Sequence, residues 1–332
     1  MNVTVLTTGG TIASTAGEGG ATPTKRGEEL VEAVPELAEE ADVTVESAAQ
    51  VPSYQMDAET LESIGEQVAT LEDDVEAVVV THGTDTMAET AYYLDVARRP
   101  DLPVFVTGAQ RRPDEVSPDG PANLLTAVRA AKAVHDRDAS GVFVAFDETI
   151  HAARWVRKLH TSRLGAFESP DAGPVATVDR DAVVFRRQPR SETEPVPATS
   201  LEATVYAVRS GSCVPGDMLE AALERGADGI VLEGTGLGNA TVGLGEAVRD
   251  TLEGGVPVVV TSRCPGGRVV PVYGGPGGGS TLRDHGAVFA GDLSTGKARL
   301  RLMLALAAGD GTAAVRDAFA HLEAQPEEPR GG

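Results

Sequence analysis

Ala77-Val78-Val79-Val80-Thr81-His82-Gly83-Thr84-Asp85-Thr86-Met87 is the stretch of sequence that decides the fold. Its first five residues are a short β-branched run, which predicts a strand. After a polar turn, apolar residues recur at three- and four-residue spacing from Met87 onward, which predicts a helix over residues 87–97. A strand followed at once by a helix is the repeating unit of a mostly parallel sheet.

The same alternation extends in both directions from this stretch. Further β-branched runs predict strands at residues 3–7, 43–47, 103–107 and 141–146. Amphipathic runs between them predict helices at residues 28–40, 57–72 and 122–134. The first half of the chain is therefore predicted to be a doubly wound α/β domain.

The alternation lapses between residues 186 and 202, where Pro189, Pro195 and Pro197 block regular structure. We therefore predict a larger N-terminal α/β domain at 1–185, a linker at 186–202 and a smaller C-terminal α/β domain at 203–332. In the second domain, strands are expected at 203–208, 229–232 and 256–261, and helices at 217–224, at 245–252 and from 295 onward.

Composition excludes several classes of function. The 332 residues carry 50 Asp and Glu against 28 Lys and Arg, a net charge of −22. Such a surface repels phosphate backbones and anionic lipids, so neither nucleic acid nor a membrane is an expected partner. Lysine occurs at only four positions. An acidic, lysine-poor surface is typical of a protein adapted to concentrated salt, where screening reduces self-repulsion.

Two features of the sequence bear on the compartment. Cys213 and Cys264 are the only cysteines, too few in a chain of this length to predict a disulfide. The N-terminus has no basic segment, and its apolar run breaks into glycine after Thr8, so neither a signal peptide nor a membrane span is expected. The expected location is the cytoplasm.

Three loops directly follow predicted strands, and ligands of open parallel sheets bind beyond the carboxyl ends of the strands. The loops are Thr8-Gly9-Gly10-Thr11-Ile12-Ala13, His82-Gly83-Thr84-Asp85-Thr86-Met87 and Thr107-Gly108-Ala109-Gln110-Arg111. Their glycines let the backbone approach a ligand closely, and the second loop adds two hydroxyls and a carboxylate. Each loop also has a purely structural interpretation: a glycine turn, a helix N-cap and a plain βα loop, respectively.

A fourth segment, Arg154-Trp155-Val156-Arg157-Lys158-Leu159-His160-Thr161, carries one of the four lysines. In a chain that otherwise uses arginine, a lysine favours chemistry that arginine cannot perform, namely loss of a proton when desolvated. The same argument applies to Lys25, Lys132 and Lys297, which lie in ordinary surface contexts. The rarity of lysine therefore does not by itself identify Lys158 as a catalytic residue.

Together these segments resemble the L-asparaginase family of threonine amidohydrolases. The first loop resembles the family's first signature, the second loop resembles its second signature, and residues 154–161 resemble its lysine segment. Asp119-Gly120-Pro121-Ala122-Asn123-Leu124 matches a further family run between them. The four matches follow the family's order and spacing over nearly the whole chain. The resemblance implies hydrolysis of L-asparagine to L-aspartate and ammonia, with minor glutaminase activity.

The resemblance implies that Thr11, Thr84, Asp85 and Lys158 are catalytic. Thr11 would form a β-aspartyl ester, ammonia would leave, and water would hydrolyse the ester. Because a threonine hydroxyl needs a partner that accepts its proton, Lys158 held by Asp85 would exchange a proton with Thr84, in the style of a catalytic triad. Backbone N–H groups in the glycine turn beside Thr11 would stabilise the oxyanion. No metal or cofactor is implied.

The resemblance also implies a set of substrate-binding residues. Ser53 would hold the α-carboxylate of the substrate, Asp85 beside Thr84 would pair with its α-ammonium group, and the Ala109 carbonyl would receive the amide nitrogen. Tyr54 stands where the family often has glutamine, and it is expected to narrow the side-chain pocket. Gly238-Asn239 resembles the segment with the family's intersubunit asparagine, so a homodimer or homotetramer is expected.

One departure from the family concerns the activation of Thr11. Many members have a tyrosine in the flexible segment after the first threonine, whereas residues 19–25 have alanine at the best-matching position and no tyrosine precedes Tyr54. The candidates to activate Thr11 are a water molecule, a threonine of the same segment and a tyrosine from elsewhere. A family carboxylate from the neighbouring protomer likewise has no clear match in residues 273–281.

Three other functions are alternatives. Residues 291–297 have the glycine and lysine spacing of a phosphate-binding loop, but Ala298 stands where a hydroxyl would bind magnesium. The ammonia-supplying component of an archaeal glutamyl-tRNA amidotransferase shares the catalytic core but carries an extra domain ahead of the first signature, for which the residues before Thr8 leave no room. The third alternative is a non-catalytic binding protein for acidic amino acids, in which Thr11, Thr84 and Lys158 would have no catalytic role.

Overall fold

The structure is a computed structural model that describes residues 1–17, 19–309 and 311–323. The chain forms two compact units, Met1–Pro195 and Val196–Gly332. Within the described residues, no helix is both long enough and apolar enough to cross a membrane.

The first unit is built on an eight-stranded sheet. In chain order, the strands of this unit are β1 (Asn2–Gly9), β2 (Ser14–Thr15), β3 (Thr22–Pro23), β4 (Asp42–Val51), β5 (Ala77–Thr81), β6 (Pro103–Thr107), β7 (Gly141–Phe146), β8 (Thr149–Ala152), β9 (Arg157–Lys158), β10 (Phe167–Glu168), β11 (Ala176–Asp179) and β12 (Ala182–Phe185). The order across the sheet is β12-β11-β8-β7-β6-β5-β1-β4. From β7 to β4 the strands are parallel, whereas β8, β11 and β12 are antiparallel additions at one edge.

Helices cover both faces of the parallel strands. They are α1 (Gly27–Glu32), α2 (Leu37–Glu40), α3 (Ala58–Leu71), α4 (Met87–Tyr93), continued by a π-helical turn at Leu94–Arg98, and α5 (Gly120–His135). Val5, Val79, Phe105 and Phe143 form a buried cluster with residues of α5. Because side chains alternate across a strand, the residues between them face the opposite side, where α4 packs on β6 and β7.

One predicted helix is wrong in its extent. Residues 28–40 form two short helices, α1 and α2, instead of one. Pro35 lies between them, and its ring removes a backbone donor and clashes with the preceding turn of a helix. The residue before it, Val34, is also disfavoured in helical backbone geometry. By contrast, β5, β6 and β7 begin and end at the predicted residues.

The second unit repeats the architecture at smaller scale. Its elements are β13 (Val205–Arg209), α6 (Asp217–Glu224), β14 (Gly229–Gly234), α7 (Val242–Glu253), β15 (Val258–Ser262), α8 (Gly279–Asp284), β16 (Val288–Phe289), α9 (Thr295–Ala308) and α10 (Gly311–Glu323). The four strands pair in parallel in the order β13-β14-β15-β16. A larger, mostly parallel sheet followed by a smaller α/β unit confirms the predicted fold class.

Candidate active site

Two glycines bring the first two candidate loops into contact. β1 and β5 are neighbours in the sheet, with Thr7 opposite Thr81, so the loops that follow them leave the same edge. Gly10 has a φ of +82°, a left-handed conformation that glycine adopts without strain. The backbone of Gly83 lies directly against Gly10, closer than a side chain on Gly10 would allow. Thr11 and Thr84, the residues that follow these glycines, therefore stand on adjoining loops.

Lys158 joins the second loop through two short hydrogen bonds. Its Nζ donates to the Thr84 Oγ1 at 2.7 Å and to the Asp85 Oδ1 at 2.7 Å. The lysine side chain is 16% exposed, whereas that of Asp85 is 57% exposed. Lys158 lies in β9, which pairs with β10 to form a short antiparallel hairpin. The structure thus brings a hydroxyl, a carboxylate and an ammonium group of the predicted catalytic set into direct contact.

Ser53 fixes the second loop from its other side. The Ser53 Oγ accepts the backbone N–H of Asp85 at 3.2 Å, and the Ser53 carbonyl accepts the Thr86 hydroxyl at 2.9 Å. Ser53 is buried, in a 3₁₀ turn that follows β4. The neighbouring Tyr54 is 70% exposed and lines the same cleft as Asp85.

The third loop is clamped by the start of α5. The Asp119 carboxylate accepts the backbone N–H groups of Gln110 and Arg111, the latter at 2.8 Å. The Asn123 Nδ2 donates to the Gly108 carbonyl at 2.9 Å. Ala109, between these two anchors, is fully buried. The sequence assigned no individual role to Asp119 or Asn123, although both belong to the run 119–124 that resembles the family.

His82 is a second residue whose role the sequence did not predict. It is fully buried, and burial lowers the pKa of its imidazole from 6.5 to about 4. The Nδ1–H donates to the Gly83 carbonyl at 2.7 Å, and the Nε2 accepts the Thr90 hydroxyl at 2.9 Å. A neutral histidine satisfies both bonds, so His82 braces the backbone just before Thr84.

The three loops surround an open cleft with a cavity volume of about 310 Å³. Thr11, Thr84, Asp85 and Lys158 all line it, together with Ser53 and Tyr54 of the predicted binding residues. A hairpin formed by β2 and β3 lies at its rim, where Ala21 and Pro23 line the cleft. The four predicted catalytic residues therefore share one cavity.

Two of the three candidates for activating Thr11, the threonines of the hairpin and a tyrosine, can be located relative to the cleft. The hairpin hydroxyls of Thr15 and Thr24 pair with each other at 2.8 Å. Tyr54 is the tyrosine among the described residues that line the cleft.

In the part of the chain that the structure describes, no cluster of three or more His, Cys, Asp or Glu side chains could hold a metal ion.

Asn239, the last predicted binding residue, lies in the second unit. Its side-chain Oδ1 accepts the backbone N–H of Gly279 at 3.1 Å, and its carbonyl accepts the backbone N–H of Thr235 at 2.8 Å. These bonds hold Asn239 in the loop after β14. Its contact with a substrate stays a prediction.

The alternative phosphate-binding loop does not have the expected chemistry. Lys297 is 2% exposed, whereas a phosphate needs an ammonium group presented at the loop surface. The hydroxyl of Thr295 donates to the Glu233 carboxylate at 3.0 Å. A carboxylate beside the helix start repels phosphate, which disfavours a nucleotide site there.

The mostly parallel sheet and the cleft of hydroxyl, carboxylate and ammonium groups fit the class of α/β amidohydrolases, to which the family models also assign the chain. Two family models specify the family. The model described as Asparaginase, N-terminal matches residues 2–191, and the model described as Glutaminase/Asparaginase C-terminal domain matches residues 204–319. The chain belongs to the asparaginase family.

Individual relatives agree with this assignment. An L-asparaginase of Bacillus licheniformis is 34% identical over 92% of this chain and 95% of its own length. A crystal structure of a probable cytoplasmic L-asparaginase from Campylobacter jejuni has a TM-score of 0.86 and 32% identity, covering 96% of this chain and 99% of the other. A component of the glutamyl-tRNA(Gln) amidotransferase of Halobacterium salinarum is 35% identical, over 96% of this chain and 78% of the relative.

Proposed function

We propose that this chain is an L-asparaginase that hydrolyses L-asparagine to L-aspartate and ammonia through a threonine acyl-enzyme. One observation carries the proposal: the Lys158 Nζ bonds both the Thr84 hydroxyl and the Asp85 carboxylate at 2.7 Å, in the cleft that Thr11 also lines. A hydroxyl bonded to a lysine that is in turn held by a carboxylate is an arrangement that moves protons during acyl transfer.

The first half of the reaction forms an ester at Thr11. The Thr11 Oγ attacks the side-chain amide carbon of asparagine, and the tetrahedral intermediate collapses with cleavage of the C–N bond. The Thr11 proton ends on the amide nitrogen, so ammonia leaves. The developing oxyanion needs fixed donors. The backbone N–H of Thr84 and those of the glycine turn beside Thr11 are suitable, because Gly10 and Gly83 hold the two loops together.

The second half of the reaction hydrolyses the ester. The Lys158 amine accepts the Thr84 proton, which reverses the direction of the hydrogen bond between Lys158 and Thr84, and the Thr84 oxygen takes a proton from the attacking water. The hydroxide adds to the ester carbon, and the Thr11 oxygen leaves and recovers a proton from the relay. Asp85 stabilises the ammonium form of Lys158, since its Oδ1 is already hydrogen-bonded to that nitrogen.

Substrate selection follows from the same groups. We assign the α-ammonium group to the second carboxylate oxygen of Asp85 and the α-carboxylate to the Ser53 hydroxyl, because both side chains line the cleft. The Ala109 carbonyl is proposed to receive the amide nitrogen, in a loop that Asp119 and Asn123 hold fixed. Tyr54 narrows the side-chain pocket, which favours asparagine over the longer glutamine and leaves glutaminase activity minor.

The test is ammonia release from a short panel of amides. The purified chain is expected to release ammonia from L-asparagine, more slowly from L-glutamine, and equally well after chelator treatment, because all the proposed groups belong to the protein. Loss of activity in EDTA that a divalent ion restores would contradict the metal-free mechanism. Binding of asparagine without any ammonia release would support the non-catalytic alternative.

We further propose a cytoplasmic homodimer or homotetramer in which Asn239 of one protomer reaches the cleft of its neighbour. The cytoplasmic relative from Campylobacter jejuni supports the location. A second candidate function is supply of ammonia within an amidotransferase, which the similarity to the Halobacterium salinarum component favours. Turnover of free asparagine by the chain alone supports the first function. Turnover only with a partner protein and a charged tRNA supports the second.

A further inference from the structure

The hairpin at the rim of the cleft is too short to hold its own position. It contains two residue pairs, Ser14 opposite Pro23 and Thr15 opposite Thr22, and an isolated two-stranded ladder in water is marginal even when it is longer. Ala21 and Pro23 nevertheless line the cleft. The position of the hairpin therefore determines the shape of the cleft, and bonds from outside the hairpin must fix it.

Two side chains outside the hairpin supply such bonds. The inner end of the hairpin is the end where Ala13 precedes β2 and Thr24 follows β3. There the Gln50 Nε2 donates to the Pro23 carbonyl at 3.0 Å, and the N–H groups of Thr24 and Lys25 donate to the Ala13 carbonyl. At the outer end, beyond β2, the backbone N–H of Ala16 donates to the Asp114 Oδ2 at 2.9 Å. Among the described residues, the inner end thus has these three bonds, and the outer end has the bond from Ala16 to Asp114.

The Asp114 carboxylate is itself held in place. The Arg112 Nε donates to the Asp114 Oδ1 at 2.9 Å, and the backbone N–H of Arg112 donates to the Glu115 Oε2 at 2.7 Å. Arg112 and Glu115 both line the cleft. The Ala16 N–H is the main reason that the pKa of Asp114 lies below its ordinary value. The hydrogen bond from Ala16 to Asp114, called the tether below, therefore has a charged acceptor.

We propose that Asp114 is a positioning residue that holds the hairpin closed over bound substrate. The proposal rests on the proposed function for its substrate, L-asparagine. When only the closed form binds, the apparent dissociation constant rises as the closed fraction falls. Loss of the tether lowers that fraction in the free enzyme, whereas saturating substrate restores closure. The effect of Asp114 therefore falls on KM and largely spares kcat.

The kinetic test compares Asp114→Ala and Asp114→Asn with wild type. We expect KM for asparagine to rise roughly tenfold in Asp114→Ala, the scale of one hydrogen bond to a charged group, with kcat changed less than about twofold. Asn keeps an acceptor oxygen without the charge, so its KM should fall between the other two. Asp181→Ala is the matched control, because Asp181 is an exposed acid in the turn between β11 and β12.

Hydrogen exchange measures the strength of the tether in the absence of substrate. Hydrogen exchange of a peptide spanning residues 13–17 should be faster in Asp114→Ala than in wild type, because the Ala16 amide loses its acceptor. This distinguishes the two proposals: absence of ammonia release from wild type refutes the proposed function, while the exchange rate still tests the tether.

The remaining outcomes are decisive for Asp114. Unchanged exchange in Asp114→Ala overturns the tether. Faster exchange with unchanged KM, or a loss confined to kcat, overturns the positioning role. If Asp114→Ala does not fold, the isosteric Asp114→Asn carries both measurements, and the same outcomes apply to it.

Discussion

A Cβ on Gly10 would lie 2.3 Å from the backbone nitrogen of Gly83. No rotamer can relieve this distance, because both partners are fixed to the backbone, so Gly10 and Gly83 set the separation of the Thr11 and Thr84 loops. Gly10 also has a φ of +82°, and an alanine there would be strained even with space available. The two causes of damage, contact and strain, can be separated by experiment.

Gly10→Ala is expected to lower kcat/KM by at least about a hundredfold, since a shift of about 1 Å in a reacting group has effects of that size. The matched control is Gly255→Ala. Gly255 has a φ of +86°, with no atom within 4 Å of a Cβ built on it, so this variant carries the strain without the contact. Ammonia-release kinetics of both variants provide the check. Equal losses of activity would show that strain alone matters.

Removing either hydroxyl from the cleft should stop turnover. Thr11→Ala and Thr84→Ala are each expected to lower kcat by at least about a thousandfold, the scale for loss of a nucleophile or its activating unit. Thr70→Ala is the control, because its hydroxyl donates to the Glu66 carbonyl on the exposed face of α3. Mass spectrometry after acid quench should find the aspartyl adduct on the Thr11 peptide. An adduct on Thr84 would exchange the two roles.

Lys158→Arg tests whether the lysine moves protons. Arginine keeps the positive charge beside Asp85 but cannot lose a proton near neutral pH. We therefore expect kcat to fall nearly as far as in the threonine variants, by roughly a thousandfold. Lys132→Arg is the control, since the Lys132 Nζ lies 3.9 Å from Glu40 in a partly exposed pair. Normal turnover in Lys158→Arg would reduce Lys158 to a charge partner.

His82 predicts a pH dependence of stability. Its pKa is about 4 in the folded protein and 6.5 for a free imidazole, so the unfolded chain binds more protons between those values. Stability contributed by this histidine is therefore full above pH 6.5 and is lost as pH falls toward 4, by about 3 kcal/mol in total.

The measurement compares denaturant unfolding at about pH 7 and about pH 4 in wild type and in His82→Asn. The asparagine side chain at position 82 can still donate to the Gly83 carbonyl but does not titrate. The loss of unfolding free energy on acidification should therefore be smaller in the variant by about 3 kcal/mol. His135→Asn removes an exposed histidine and should match wild type. Equal losses in wild type and His82→Asn would mean that His82 does not drive the acid sensitivity.

Several elements could be predicted from the sequence for a clear physical reason. β5, β6 and β7 are buried on both faces, so each one is an apolar run that ends in a polar residue or is followed by one. The adjacency of the first two loops also follows from the sheet, because parallel neighbours end at one edge. Thr84 and Asp85 were therefore predictable as cleft residues from their position after β5.

Other features depend on contacts between distant residues. β8 and β11 are four residues each, too short to show a period, and they exist because they extend the edge of an established sheet. The Asp119 clamp was also missed. An Asp before a helix predicts an N-cap, yet its carboxylate bonds the backbone of Gln110 and Arg111 instead. The tether from Asp114 to Ala16 spans a separation of 98 residues, which no local pattern encodes.

The acidic surface should make stability and assembly depend on salt. A net charge of −22 on 332 residues should destabilise the compact and assembled states at low ionic strength, where the Debye length is about 30 Å at 0.01 M. Molar salt shortens that length to about 3 Å and removes most of the repulsion. If Asn239 completes the cleft of a neighbouring protomer, desalting should dissociate the oligomer and abolish activity together. Sedimentation and ammonia release across a sodium chloride series provide the measurement, and potassium chloride at equal ionic strength controls for specific ion effects. An intact, fully active oligomer in millimolar salt would show that the acidic surface is not an adaptation to salt.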